Sequence, residues 1–265
     1  RSGYNAVADD WVSITPGTDG LLILAIVHEL LKAGRVDLDY LRRYTNAPFL
    51  VNADPASDER GLFLRDGDGK PLVLDRATGR PVAFDTPGIA PDLAGSLERD
   101  GVTHRPVFQL LAERYLDPAH APEAVAGRCG LPAARIRGLA AEIARVAFEE
   151  EITLRQPWTD WKGERHETIT GRPVAFHAMR GISAHSNGFQ TCRALHMLQI
   201  LLGSVEVPGG FRFKPPYPKP PEAHPKPHGK ASPGQPLDGP HLGFVHGPDD
   251  LMLKADGTPA RIDKA

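Results

Sequence analysis

Two short polar segments of the chain stand where an extended run passes into an apolar helix. The first segment, Gly17-Thr18-Asp19, follows the strand-like run 11–14 and precedes a helix that begins near Leu21. Because a helix N-terminus exposes unpaired backbone N–H groups, a hydroxyl and a carboxylate there can help them bind a polar ligand. A carboxylate also accepts two hydrogen bonds from the N1 and N2 edge of guanine. The alternative is an ordinary helix start, with a capping threonine and an aspartate that matches the helix dipole.

The second segment, residues 179–188, has the composition of an anion-binding loop. Arg180 can pair bidentately with a phosphate, and Gly181 and Gly188 let the backbone approach a ligand closely. A loop of this kind between a strand and a helix is where α/β proteins hold phosphorylated cofactors. The alternative is a structural turn with Asn187 as the helix cap. The candidate binding residues of this segment are Met179, Arg180, Gly181, His185, Ser186 and Asn187.

The sequence offers no nucleophile with a base, no acid–base pair and no complete metal site. Cys129 and Cys192 are far apart, which argues against a disulfide framework or a CxxC knuckle and favours two reduced, buried thiols. His177, His185 and His196 lack the spacing of zinc ligands. We therefore predict no catalytic residue and no metal ligand within this chain.

The elements around the first segment form a recognisable pattern. A short strand at 11–14 is followed by a helix whose apolar residues occupy every side, which predicts a buried helix that ends at Gly34. A second helix is predicted at 37–44. Period-two patterning then predicts a small antiparallel ribbon at 61–85, with the acidic run 66–69 as a hairpin turn.

Helical patterning returns at 106–116 and at 132–148, where apolar residues recur every three and four positions. Short strands are predicted at 152–154 and at 173–176. Alternation of strands and helices predicts an α/β fold, a layered sheet with flanking helices and at least some parallel pairing. The fold class is therefore α/β, with a ribbon insertion and a Pro-rich C-terminal segment.

Composition limits the classes of function. With 265 residues, 41% of them hydrophobic, the chain can bury one good-sized core or two small ones. The net charge of −2 argues against a nucleic-acid partner, and no apolar run is long enough to span a bilayer. The 26 prolines are concentrated in residues 208–248, where an extended chain is expected. We predict an α/β region at 1–207 and a Pro-rich segment at 208–265.

Beyond these patterns, the sequence resembles a known family. Residues 8–19, the following apolar helix and residues 39–45 are similar to the middle of catalytic subunits of the molybdopterin oxidoreductases, the dimethyl sulfoxide reductase family. The run from Arg180-Gly181 to Gly210 resembles a later strand, loop and helix of that family, with its Leu-Leu-Gly and Pro-Gly-Gly exit. Residues 180–188 are most similar to the sulfur branch, which includes polysulfide, thiosulfate and tetrathionate reductases and sulfite-oxidising relatives. Arg1 falls where the family has the end of an Asp-Pro-Arg strand, so we expect an internal fragment.

The resemblance implies molybdenum, or tungsten, held by two molybdopterin guanine dinucleotides. It places Gly17, Thr18 and Asp19 at the guanine end of one dinucleotide, and the residues of the 179–188 segment at the pterin or pyrophosphate side. The iron–sulfur cluster and the metal ligand of the family have no counterpart in this chain, so we expect the fragment alone to be inactive.

The same resemblance implies partners for the parent protein. These are an iron–sulfur electron-transfer subunit together with a membrane anchor subunit, in a bacterial enzyme associated with the cytoplasmic or periplasmic side of a membrane. The sulfur branch implies redox chemistry on a sulfur oxyanion or a related small substrate. A stand-alone nucleotide-binding module or a Pro-rich interaction module, without redox activity, is the alternative.

Overall fold

The computed structural model describes residues 6–178 and 180–212. Six α-helices lie within these residues, together with short 3-10 helices at Pro118–His120 and Arg180–Ser183. The helices are α1 (Asp19–Lys32), α2 (Leu38–Tyr44), α3 (Val107–Tyr115), α4 (Pro122–Cys129), α5 (Ala133–Glu149) and α6 (Gly188–Leu201).

Helix α1 is the centre of the described fold, as its all-round apolar sequence predicts. It packs against α3, α4, α5 and α6, and most of its residues from Ile23 to Leu30 are buried. Gly34 follows the helix with a φ of +64°, a left-handed conformation that glycine adopts without strain. The predicted helix end is therefore confirmed.

The strands are short and every strand ladder in the described residues is antiparallel. They are β1 (Leu50–Asn52), β2 (Leu72–Leu74), β3 (Pro81–Ala83), β4 (Leu97–Arg99), β5 (Val102–Pro106), β6 (Ile152–Leu154), β7 (Trp158–Thr159), β8 (Arg165–His166) and β9 (Ile169–Gly171). A three-stranded sheet has the order β1-β5-β4, and three two-stranded ladders pair β2 with β3, β6 with β9 and β7 with β8.

The predicted ribbon is confirmed by β2 and β3, and the acidic turn before it has the expected form. The amide nitrogens of Asp68 and Lys70 both donate to Asp66 Oδ1, at 3.0 Å and 2.8 Å, and close the turn. The side chain therefore serves the hairpin itself. A small apolar cluster of Leu50, Leu72 and Leu74 lies beneath this region.

Three predictions about strands are wrong. Residues 11–14 form no strand, because the chain there joins α4 instead, with the amide of Thr15 donating to the carbonyl of Cys129 at 2.9 Å. Residues 173–176 form no strand either; Pro173 has no amide hydrogen to donate, and Val174 turns back on the carbonyl of Arg172. The expected parallel pairing is absent from the ladders of the described residues, where only an isolated bridge between Val205 and Phe211 is parallel. The α/β class itself is confirmed.

The main core is helical. Buried side chains of α1, α4, α5 and α6 form one cluster that includes Leu30, Val125, Ile136 and Leu198. Cys129 is buried in this cluster and Cys192 is partly buried on α6, and both are free thiols. No helix among the described residues is long and apolar enough to cross a membrane. The division at residue 207 stays a prediction, since most of the Pro-rich segment lies outside the described residues.

Candidate cofactor-binding site

The first predicted segment forms the entry to α1. Gly17 has a φ of +82°, and Thr18 occupies the N-cap position before Asp19, the first residue of the helix. The hydroxyl of Thr18 does not cap the helix; it donates backwards to the carbonyl of Thr15 at 2.6 Å. Capping by this side chain is therefore wrong as an explanation of the segment. The amides of Leu21 and Leu22 donate to the carbonyl of Thr18 instead, at 3.0 Å and 3.1 Å.

The second predicted segment is a tight loop that leads into α6. The hydroxyl of Ser183 donates to the carbonyl of Arg180 at 2.9 Å, and the amide of Gly188 donates to the carbonyl of His185 at 2.9 Å. A Cβ on Gly188 would overlap the Ser183 carbonyl oxygen, so only glycine fits there. Asn187 is the N-cap residue, yet its side chain makes no capping hydrogen bond.

The two segments lie together, although some 160 residues separate them in the sequence. A Cβ on Gly20, in the first turn of α1, would lie 3.0 Å from Oγ1 of Thr191 in the first turn of α6. The N-terminal turns of the two helices are therefore packed against each other. Both helix dipoles place partial positive charge at this end of the molecule.

The candidate residues at this end are accessible to a ligand. Arg180, Gly181, His185, Ser186 and Asn187 are all exposed, whereas Gly17, Thr18 and Asp19 are half-buried. Met179 lies outside the described residues. A guanidinium and a carboxylate thus belong to the segments that lead into two adjoining helix N-termini without side-chain caps, a combination suited to phosphate groups and to a polar base edge.

Similarity to known proteins identifies the family. A sulfite dehydrogenase subunit of Allochromatium vinosum is 48% identical over 100% of this chain and 28% of its own length. The nitrate-inducible formate dehydrogenase major subunit of Escherichia coli is 27% identical over 77% of this chain and 17% of its own. A putative dimethyl sulfoxide reductase catalytic subunit of Halobacterium salinarum is 33% identical over 49% of this chain and 16% of its own. The chain belongs to the molybdopterin oxidoreductase family.

None of the protein-family models searched matches the chain. The chain spans about a quarter or less of the length of these relatives and so corresponds to a part of each. Membership in the molybdopterin oxidoreductase family implies a molybdenum or tungsten cofactor. Each of these relatives is named as a subunit. The family resemblance read from the sequence is confirmed, whereas the roles of individual site residues stay predictions.

The structure also shows two clefts that sequence analysis of this molybdopterin oxidoreductase segment missed. They meet at Arg43 and Tyr44, at the end of α2. The first cleft has a volume of about 360 Å³, and Lys162 and Trp161 contribute to its wall. The second has a volume of about 650 Å³ and extends towards Gly203 at the end of α6. Among the described residues, no predicted site residue lines either cleft. Both clefts are therefore separate from the two helix N-termini.

The second cleft is acidic and aromatic. Tyr40 and Trp158 line it together with four carboxylate residues, Asp37, Asp39, Glu151 and Glu206. Burial raises the pKa of Tyr40 above its ordinary value, and the negative charges of Asp37 and Glu206 raise it further. The phenol hydroxyl donates to the carbonyl of Val205 at 3.3 Å, which joins α2 to the segment after α6.

A network around Arg172 forms one wall of this cleft. The guanidinium of Arg172 lies 2.8 Å from Oδ2 of Asp37 and 2.6 Å from Oε2 of Glu151, and it also donates to the carbonyl of Ala147 at 3.1 Å. Only 14% of the Arg172 side chain is exposed. Because Asp37 also caps α2 by accepting the amide of Tyr40, this single arginine connects β9, α2 and α5.

Asp160, Glu164 and His166 place three potential metal ligands within 4.8 Å of one another. The Asp160 carboxylate already accepts hydrogen bonds from the amides of Lys162 and Glu164, both at 2.9 Å, and from Nε2 of His166 at 3.1 Å. The bond from His166, followed by those from the two amides, lowers the pKa of Asp160. These contacts close the turn between β7 and β8, so the cluster has a structural role.

Proposed function

We propose that this chain forms part of the cofactor-binding region of a molybdenum or tungsten oxidoreductase catalytic subunit. The observation that carries the proposal is the packing of the first turn of α1 against the first turn of α6. Each turn lacks a side-chain cap, and each belongs to a segment whose sequence resembles a cofactor-binding motif of the family.

The residues present are compatible with a molybdopterin guanine dinucleotide. Backbone amides at a helix N-terminus point at a bound anion and favour its negative charge, so they can bind phosphate oxygens. Gly188 lets the loop backbone lie close to the start of α6. Arg180 is exposed at the same loop and supplies charge-assisted hydrogen bonds. His185, Ser186 and Asn187 supply further donors and acceptors beside them.

Asp19 is assigned to the guanine end. Its carboxylate accepts the N1 and N2 hydrogens of a guanine, with Gly17 and Thr18 shaping the turn that presents it. When bound, the metal of the cofactor supplies the redox chemistry, and the residues of this chain bind and orient the dinucleotide. None of the described site residues is assigned a proton-transfer role.

For the complete protein we propose a sulfur oxyanion, such as sulfite, as the substrate. The support is the 48% identity, across the whole of this chain, to a protein named as a sulfite dehydrogenase subunit. We also propose two partners, an iron–sulfur electron-transfer subunit together with a membrane anchor subunit, at the cytoplasmic or periplasmic side of a membrane. The iron–sulfur cluster and the metal ligand are assigned to parts of the protein other than this chain.

The assignment of Asp19 can be tested with a matched pair of variants in the complete catalytic subunit. We expect Asp19→Asn to retain about ten-fold less guanine nucleotide after dialysis, because an amide has a single acceptor where the carboxylate has two; a charged hydrogen bond contributes about 1.5–3 kcal/mol. Asp58→Asn removes an exposed carboxylate outside the site and is the control. The readout is guanine nucleotide released by acid hydrolysis per mole of protein.

Equal retention of guanine nucleotide in Asp19→Asn and the control would overturn the assignment. Sulfite oxidation is a separate assay on the unmodified complex. Absence of sulfite oxidation together with intact guanine retention would reject the substrate and leave the cofactor site in place.

A further inference from the structure

The first cleft described above has an unbalanced charge. Its described lining includes three cationic residues, Arg42, Arg43 and Lys162, and no aspartate or glutamate. Asp39, which pairs with Arg42, lines the second cleft, on the other side of Tyr44. Three cations in one concave surface raise the local positive potential and favour an anion.

One of these cations has an unused donor. Arg42 is largely buried, with 20% of its side chain exposed, and its Nη1 pairs with Asp39 at 2.9 Å. Its Nε is buried and makes no hydrogen bond within the described residues. A buried donor without a partner costs about 1–3 kcal/mol.

The rest of the cleft wall is apolar and aromatic. Phe84 and Trp161 stack with their ring centroids 6.0 Å apart at an interplanar angle of 19°. Trp161 is fixed by a hydrogen bond of 2.9 Å from its indole nitrogen to the Arg43 carbonyl, yet 54% of the residue is exposed. Lys162 Nζ lies 5.2 Å from the centroid of the same indole. An aromatic wall with a few converging charged groups is the usual composition of a small-molecule site.

We propose that this cleft, lined by Arg42, Arg43, Lys162, Phe84 and Trp161, binds a small organic phosphate with a flat apolar body. The phosphate pairs with the three cations, two of which are arginines that can bond it bidentately and one a lysine that acts as a point charge. The apolar body lies against Trp161 and Phe84. A volume of about 360 Å³ admits a single ring with its phosphate.

This site differs from the proposed cofactor site. The amide of Asp37, directly before α2, donates to the carbonyl of Leu201 at the C-terminal end of α6. Because α6 has 14 residues, its two ends are about 21 Å apart. The start of α2 is therefore at the opposite end of α6 from the cofactor segments, and the inference does not depend on the proposed function.

The reactivity of Lys162 provides a local test in the complete protein. Reductive methylation of each lysine is measured by peptide mass spectrometry with increasing phenyl phosphate. We expect saturable protection of Lys162 of at least about five-fold. Lys70 pairs with Asp85 at 2.7 Å outside this cleft, and its reactivity is expected to stay constant. Arg43→Gln keeps the backbone carbonyl that holds Trp161, and we expect it to abolish the protection.

Three other probes define the ligand class. Phenyltrimethylammonium reverses the charge and is expected to give no protection; inorganic phosphate lacks the apolar body and benzoate lacks the second charge, so both are expected to protect more weakly. Equal protection by any of these three probes, or protection that survives in Arg43→Gln, would overturn the proposal. So would a Lys162 that is unreactive without any probe, because another part of the protein would then cover the cleft.

Discussion

The two ends of α6 differ in the interactions that their surrounding side chains make. At the N-terminal end, α1 and α6 are packed by apolar contacts, while the polar groups of both first turns stay free of side-chain caps. At the C-terminal end, short strands and turns surround two clefts, and polar side chains bind one another across large sequence separations. Apolar packing thus supports an exposed polar surface at one end. At the other end, hydrogen bonds and ion pairs hold the walls of the clefts.

The strongest test of this difference is the removal of core packing. Leu198 on α6 is 1% exposed, and Leu198→Ala is expected to cost about 3–4 kcal/mol through lost burial and a cavity. Leu62, in the ribbon region, is 60% exposed, and Leu62→Ala is expected to change stability by less than about 0.5 kcal/mol. Local unfolding free energies from hydrogen exchange would measure both. Similar values for the two leucines would contradict the helical core described above.

The Arg172 network is the corresponding test at the cleft end. Arg172→Met leaves the Asp37 and Glu151 carboxylates without their partner, and we expect a loss of about 3 kcal/mol. The matched control is Arg165→Met, because Arg165 pairs with Glu167 on the surface with 69% and 70% of the two side chains exposed. That pair is expected to contribute less than about 1 kcal/mol. Equal losses in the two variants, measured by thermal unfolding, would show that Arg172 does not join the three elements.

Two glycines of the 179–188 loop separate folding from ligand binding. Gly188→Ala is expected to cost about 1–3 kcal/mol, since the new Cβ meets the Ser183 carbonyl. Gly181→Ala has no atom within 4 Å of the new Cβ and is expected to leave stability unchanged. If the cofactor approaches the backbone at Gly181, however, this second variant will retain less of it. Thermal unfolding without cofactor and guanine nucleotide content give the two readouts, and unchanged stability in Gly188→Ala would contradict the loop geometry.

The smallest expected effect is on the turn between β7 and β8. Hydrogen bonds lower the pKa of Asp160 in the folded turn. The ionised carboxylate therefore stabilises the turn at pH values above the pKa of an unfolded aspartate, which is near 4. This stabilisation is lost as the pH falls from there through the lower pKa of the folded state. Exchange of the Lys162 and Glu164 amides should therefore accelerate relative to other turns below about pH 4. In Asp160→Asn this acid-dependent step should be missing. A step that persists in the variant would assign it to another group.

The sequence predicted the helical part of the fold because its signals are local. The all-round apolar run of α1, its glycine end at Gly34 and the alternation of the ribbon each involve residues within a few positions of one another. The strand expected at 11–14 was wrong because the amide of Thr15, directly after it, donates to the carbonyl of Cys129, more than 100 residues later. Secondary-structure propensity depends on neighbouring residues and cannot account for a partner so far along the chain.

The clefts show the same limit for candidate sites. Arg172 and Asp37 are 135 positions apart, and Trp161 bonds the carbonyl of Arg43 across 118 positions. No spacing in the sequence marks these pairs. The sequence shows that Arg42 is next to Arg43 and that Trp161 is next to Lys162. It does not show that the fold brings these two pairs into one cleft. By contrast, the candidate residues at the two helix N-termini could be selected from the sequence because each motif coincides with a helix start, and their role stays a prediction.

Binding of the cofactor by the adjoining first turns of α1 and α6 can be tested in an experimental structure of the complete protein with its cofactor bound. We expect guanine nitrogens within about 3 Å of the Asp19 carboxylate. We also expect cofactor phosphate oxygens or pterin atoms within hydrogen-bond distance of Arg180 or the first amides of α6. A cofactor bound away from both helix N-termini, with Asp19 and Arg180 facing solvent or another polypeptide, would contradict the proposed binding site.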